Sequence, residues 1–112
     1  MVMEILESRQ NDICILSING RLDSNTSAEL DKRILFSLDN GAKHIIMDCK
    51  QMEYITSAGL RIVVKTAKKM KSGDGRFVLC AMADYVREIF EIAGFDRFLP
   101  IVPTLDDALK IV

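Results

Sequence analysis

Apolar and polar positions change period several times along the chain, and each change marks an element. Met3 to Ser8 and Asp12 to Asn19 read as two short strands around the polar turn Arg9-Gln10-Asn11. In the second, Ile13, Ile15 and Ser17 fall on one side and Cys14, Leu16 and Ile18 on the other. Both sides are mostly apolar, the pattern of a strand covered on two faces. Asn19-Gly20 ends it. Asp23, Ser24, Asn25, Thr26 and Ser27 then offer several N-cap residues. The helix they start carries Leu30, Ile34 and Leu38 at four-residue spacing, with Leu35 beside them, and stops at Asn40-Gly41. His44 to Cys49 is a short apolar run with the character of a central strand.

A second helix is predicted from about Ser57 to Met70. Leu60, Val63, Val64, Ala67 and Met70 line its inward face, and Arg61, Lys65, Lys68 and Lys69 lie away from it. Ser72-Gly73-Asp74-Gly75 is a turn, and Arg76 to Ala81 is another buried strand. Asp84 caps a third helix with Val86, Ile89, Phe90 and Ala93 at helical spacing, followed by Gly94. Phe98 to Val102 is a last strand, with Pro100 and Pro103 placing it at an edge. Thr104 opens a closing helix with Asp107 three residues on, a relative of the capping box. Leu105, Ala108, Leu109 and Val112 are its buried side. Two strands followed by alternating helices and strands predict an α/β fold. Its sheet is mixed and mostly parallel, of four or five strands, and packs with about four helices.

Composition narrows the picture. The 112 residues suffice for one domain with a core. With 15 basic and 16 acidic residues the net charge is −1, a balance that calls for neither nucleic acid nor an anionic membrane surface. No apolar run approaches the ~18 residues of a membrane span, and Met1-Val2-Met3-Glu4 does not open like a secretory signal. Cys14, Cys49 and Cys80, an odd count without CxxC spacing, read as buried, reduced thiols of a cytoplasmic protein.

The most informative segment is Tyr54-Ile55-Thr56-Ser57-Ala58-Gly59-Leu60-Arg61, which places small hydroxyl residues at the start of an amphipathic helix. Such a terminus exposes unpaired N–H groups and the positive end of the helix dipole, so it suits a negative group. Ser57 there is either a cap or the carrier of a phosphate. Asp23 and Asp48 also stand at the exits of strands, where open sheets place their sites. The three together form a candidate surface site, although Asp23 also fits a cap or turn. A catalytic triad would require His44, the lone histidine, to meet Ser57 across the strand ends. Asp48, Cys49 and Glu53 are close in sequence, but alternation sends Asp48 and Cys49 to opposite faces, so no metal site is expected. Ser72-Gly73-Asp74-Gly75 lacks the Lys-Ser/Thr of a phosphate loop, and no cofactor is expected. The basic stripe Arg61-Lys65-Lys68-Lys69-Lys71 fits a solvated helix face before a binding patch.

Gly20-Arg21-Leu22-Asp23 with Ala28-Glu29-Leu30 downstream, Asp48-Cys49 leading into the Tyr54–Arg61 segment, and Ala93-Gly94-Phe95-Asp96 through Phe98, Ile101 and Thr104 to Ala108-Leu109 together resemble the STAS domain of bacterial anti-sigma factor antagonists. The resemblance covers essentially all of residues 1–112 and implies a stand-alone STAS protein. It implies that the unphosphorylated protein binds an anti-sigma factor, itself a serine kinase, and releases a sigma factor. The kinase then switches the antagonist off by phosphorylating the serine at position 57, and a phosphatase restores it. The family's best-known members have aspartate before this serine and a second serine after it, where this chain has Thr56 and Ala58.

By the resemblance Asp23 lines the phosphoserine site, and Asp23, Ser24, Thr56, Ser57, Ala58, Gly59 and Arg61 are the expected partner-binding residues. No direct nucleic-acid contact and no membrane insertion are implied, and the protein is expected as a monomer or weak dimer. The alternative is a STAS binding subunit of a sensory or lipid-transport complex, not regulated by phosphorylation. A third reading, an enzyme with Ser57 as nucleophile, has only His44 to supply a base.

Overall fold

The computed structural model describes residues 4–112. Met3, assigned above to the first strand, lies outside the described residues. The elements in chain order are β1 (Glu4–Gln10), β2 (Ile13–Leu22), α1 (Ser27–Asp39), β3 (His44–Asp48), β4 (Met52–Ile55), α2 (Ser57–Lys71), β5 (Phe77–Cys80), α3 (Asp84–Ile92), a 3-10 turn (Phe95–Arg97), β6 (Ile101–Val102) and α4 (Leu105–Ile111). The sheet runs β1-β2-β3-β5-β6, and β4 pairs with the far end of β2. β1 and β2 form an antiparallel hairpin, whereas every other pair is parallel. This is the mixed, mostly parallel α/β architecture expected from the alternation of elements, with six strands in place of four or five.

Alternation along the central strands fixes two cores. Cys14, Leu16 and Ile18 of β2, Ile45 and Met47 of β3 and Leu79 of β5 point to one face, where Leu30 and Ile34 of α1, Val63 and Met70 of α2, and Val86 and Phe90 of α3 cover them. Ile15, Ile46, Val78 and Cys80 point to the other face and pack with Ala108 of α4. Leu105, Leu109 and Val112 border this smaller cluster, as their spacing predicts. The three cysteines are buried free thiols. Burial pushes each thiol up, Cys80 to about 12, so they stay protonated and unreactive at neutral pH.

Five local features differ from the sequence expectation. The turn between β1 and β2 is Asn11-Asp12 and not Arg9-Gln10-Asn11, because Arg9 and Gln10 stay in β1 and pair with Cys14 and Ile13. β2 does not end at Asn19-Gly20. Gly20 takes φ +105 and the pairing register shifts between Gly20 and Arg21, after which the strand continues to Leu22. A glycine in this position is a bulge, not a stop. The strand that grows past it pairs with β4, four residues too short to display a period. The N-cap of α3 is Ala83, and Asp84 is the first helical residue. There its charge acts on the helix dipole and not as a cap. Finally, Phe95–Arg97 is a 3-10 turn and β6 is reduced to Ile101–Val102. Thr104 does cap α4, its side chain accepting the Asp107 N–H at 3.1 Å.

The two-faced sheet gives a test. Ile46 and Met47 are consecutive, fully buried, and on opposite faces. Ile46→Ala and Met47→Ala are each expected to lower stability by about 2–5 kcal/mol in urea unfolding. A sheet covered on one face only would show that cost at one of them.

Candidate functional site

The site begins where two parallel strands leave the sheet side by side. Leu22 of β2 pairs with Ile55 of β4, and the Thr56 N–H donates to the Leu22 carbonyl at 3.0 Å. The Thr56 hydroxyl, half-buried, is turned inward toward the same oxygen at 3.3 Å. One helical turn on, Gly59 is buried against that carbonyl. A Cβ at position 59 would lie 2.8 Å from the Leu22 oxygen and 2.8 Å from Ile55 Cγ1. Only a residue without a side chain lets α2 come this close to the strand ends, so Gly59 serves the site by packing.

Thr56 is the N-cap position of α2, and Ser57 is its first helical residue. Neither side chain caps the helix. The Leu60 N–H is the first to bond back, to the Thr56 carbonyl at 2.9 Å. The N–H groups of the first turn therefore point out of the helix unpaired within it. Ser57 is exposed, and among the described residues its hydroxyl has no hydrogen-bond partner. It stands free at the positive end of the dipole.

Asp23 follows Leu22 and organises the adjoining loop. Its Oδ1 accepts the N–H groups of Asn25 at 2.9 Å and Thr26 at 3.1 Å. These bonds, the one from Thr26 foremost, hold its carboxyl below the usual carboxylate range, with Arg21 adding to the effect. The Thr26 hydroxyl accepts the Asp23 N–H and donates to the Arg21 carbonyl, both at 2.9 Å. Asp23 is thus the turn residue after β2, and Ser24 next to it is exposed to solvent. Across the strand pair the Arg21 guanidinium sits 5.4 Å from the centre of the Tyr54 ring, a cation–π contact on the outer surface.

Beside Ser57 runs a groove of about 570 Å³. Leu60, Val64, Ala93 and Phe95 give it apolar walls, and Ser57, Arg61, Lys65 and Lys68 edge it. Lys65 is held by Asp31 at 2.9 Å. The sequence hides the groove because Leu60 and Val64 share the helical spacing of the core; Leu60 does pack partly against the core, and with Val64 it also walls the groove. The residues of α2 that turn fully inward are Gly59, Val63, Thr66 and Met70. An apolar arc wider than the core requires was the available signal, since Val64 falls outside the arc that the sheet covers.

The structure does not bring every candidate together. Asp48 pairs in register with Ser17, whose hydroxyl reaches it at 3.5 Å, and it accepts the Lys50 N–H at 3.1 Å. From Ser17 to Leu22 the strand runs about 17 Å at ~3.3 Å per residue, so Asp48 is remote from Ser57 and Asp23. Cys49 enters the large core while Asp48 stays at the surface. His44 opens β3 at the opposite end of the parallel strands, where its Nδ1 accepts the Arg76 N–H at 3.0 Å. It is a strand-start residue, out of reach of Ser57.

The sequence model of the STAS domain family matches residues 5–108. BtrV of Bordetella bronchiseptica, whose name is that of an anti-sigma factor antagonist, is 30% identical over 95% of this chain and 91% of its own. The crystal structure of an anti-sigma factor antagonist from Mycobacterium paratuberculosis superposes with a TM-score of 0.89 at 27% identity, over 99% of this chain and 94% of that one. The anti-sigma factor antagonist SpoIIAA in its unphosphorylated form shares the fold, with a TM-score of 0.81 at 19% identity over 97% and 94% of the two chains. A phosphorylated form of the Bacillus protein also aligns, with a TM-score of 0.74 at 18% identity over 97% of each chain.

Two outcomes follow from the geometry. Gly59→Ala is expected to destabilise by about 1–3 kcal/mol, the usual cost of overpacking, read from urea midpoints. Because the folded-state pKa of Asp23 is lowered, its carboxylate stabilises the fold above the unfolded value near pH 4, and this contribution fades as pH falls through the folded value. The difference in stability between the wild type and Asp23→Asn should therefore shrink on going from about pH 7 to about pH 3.

Proposed function

The chain belongs to the STAS domain family, among the anti-sigma factor antagonists, and we propose that it is a phosphorylation-switched antagonist working in the cytoplasm. In its unphosphorylated form it binds an anti-sigma factor that is also a serine kinase, and the sigma factor held by that partner is released. The kinase transfers the γ-phosphoryl group of ATP to Ser57 Oγ, which loses its proton as ADP departs. A phosphatase acting on phospho-Ser57 restores the binding form. The protein itself catalyses nothing in this scheme.

One observation carries the reading. Of the two hydroxyls at the start of α2, that of Thr56 is turned in on Leu22, whereas that of Ser57 is exposed, without an internal partner, at the edge of an apolar groove. This arrangement supports Ser57 over Thr56 as the phosphoacceptor. The existence of SpoIIAA structures in both states supports the same scheme.

The energetics agree. A phosphoserine carries about −1.5 to −2 charges and three acceptor oxygens. On the first residue of α2 it meets unpaired N–H groups and the positive dipole end, so the fold tolerates it. Pressed against a partner in the Leu60–Phe95 groove, the same charge would have to shed its water. Moving a partner from 99% bound to 99% free takes about 5.5 kcal/mol of differential affinity, a scale that one desolvated double charge reaches.

The test is calorimetric titration of the anti-sigma partner encoded in the same genome. Ser57→Ala should bind as the wild type does and accept no phosphate. Ser57→Asp should bind at least about a hundredfold more weakly, about 2.7 kcal/mol, with an unchanged thermal midpoint. Phosphopeptide mapping after incubation with the kinase should find Ser57 and leave Thr56 unmodified. If Ser57→Asp bound as tightly as wild type, the switch would be wrong and the constitutive binding subunit would take its place.

A further inference from the structure

The far end of α2 carries a second cavity that the proposed switch does not use. Lys71 lies about 21 Å along the helix from Ser57 at 1.5 Å per residue. There α2, the start of β5, the segment before β6 and the end of α4 enclose a cavity of about 570 Å³. Met70 and Leu99 are buried at its floor. Phe98 and Ile111 line its walls while remaining 49% and 41% exposed, an unusual state for large apolar side chains in a concave site. The rim is formed by Lys68, Lys71 and Arg76.

The charge of this rim is uncompensated. Among the described residues Arg33, Lys65 and Arg87 make ion pairs, with Glu7, Asp31 and Glu91. None of Lys68, Lys71 and Arg76 is in such a pair, and no carboxylate lines the cavity. Asp74, in the neighbouring turn, is exposed and outside it. Three cations over an apolar floor form a two-part recognition surface. The size is that of a small-molecule site and not of a protein–protein contact.

We propose that this cavity binds a small amphiphilic anion. An apolar chain or ring would cover Phe98 and Ile111, and a carboxylate or phosphate head would be held by Lys68, Lys71 and Arg76. Removing the two exposed apolar side chains from water supplies attraction without regard to the head group. The cations supply selection, because an Arg fork matches either head group with two parallel hydrogen bonds, and a neutral or cationic head leaves all three charges unmet. Binding here requires nothing of Ser57 itself, which lies outside the cavity. α2 is common to both, and Lys68 borders both cavities.

The experiment is a titration of the whole protein, followed by backbone amide NMR, with decanoate, decyl phosphate, decanol and decyltrimethylammonium below their micellar concentrations. Saturable shifts at Arg76, Phe98 and Ile111 with either anion, and none at Ser24 or Ser57, are expected. Decanol and decyltrimethylammonium should bind at least tenfold more weakly. The tighter of the two anions identifies the head group. The double variant Lys71→Gln/Arg76→Gln should lose about tenfold in affinity for the anions. Ile111→Gln, at an exposed position, should weaken all of the chain-bearing probes, with circular dichroism unchanged for both variants. Equal binding of decanol and decanoate, shifts that never saturate, shifts centred on Ser57, or unchanged affinity in the double variant would each overturn the proposal.

Discussion

The carbonyl oxygen of Leu22 is the point on which the site turns. It accepts the Thr56 N–H, faces the Thr56 hydroxyl, and lies where a side chain at position 59 would have to be. These contacts clamp the start of α2 onto the end of β2. The position of Ser57 is then a consequence of backbone geometry and not of its own side chain. A hydroxyl held in place by its neighbours is free to be modified without loss of the structure that presents it. Had Ser57 been the capping residue, a phosphate on it would have cost the helix a hydrogen bond. Because the chain itself supplies that end of the helix, the chemistry of Ser57 and the stability of α2 are separable.

The clamp also explains why β2 needs its bulge. The docking point of α2 lies where β2 leaves β3 and pairs with β4 off the main row of strands. The turn of register at Gly20 bends the last residues of β2 away from β3 and toward β4. β3 pairs with β2 as far as Ser17, and β4 takes over from Gly20. One long strand thus serves two partners, and its second half ends at the site. A left-handed backbone such as that of Gly20, at φ +105, is open to glycine at little cost and strained for other residues.

Most of this was legible in the residues. The two-faced apolar pattern of β2 and β3, the spacing within each helix, the Thr104 cap and the hydroxyl pair at the start of α2 all correspond to what the chain does. What escaped was local in cause. Gly20 is written the same way whether it ends a strand or bends one. Met52–Ile55 is too short for a period to emerge. Asp84 and Ala83 both precede apolar helical spacing, and only the backbone angles decide which is the cap. Ser57 and Asp23 stand out as candidates because strand exits and helix starts have chemical signatures, and the structure places them at the adjoining ends of β2 and β4. Asp48 shared one of those signatures and still fell elsewhere, since sequence gives the end of a strand but not its position along the neighbouring one. The groove formed with Ala93 and Phe95 depends on how α3 and the 3-10 turn pack, which no spacing encodes.

α2 divides its surface among separate duties, and this division accounts for its composition. Gly59, Val63, Thr66 and Met70 form the inward stripe, with Gly59 where the helix meets the ends of β2 and β4. Thr66 is tolerated in that stripe because its hydroxyl donates to the Ile62 carbonyl at 2.9 Å. Leu60 and Val64 stand on the flank beside Ala93 and Phe95, where they leave an apolar wall open to water. Leu60 also packs in part against the main core, but Val64 does not, and an apolar wall left open to water gains nothing from the hydrophobic effect. Of the cations bordering that groove, Lys65 is tied to Asp31, while Arg61 and Lys68 have no such partner among the described residues. A helix made only to cover the sheet would need one apolar stripe and a mixed polar remainder. The second apolar wall, next to an exposed hydroxyl without an internal partner among the described residues, is the surface that the proposed docking of an anti-sigma factor would cover.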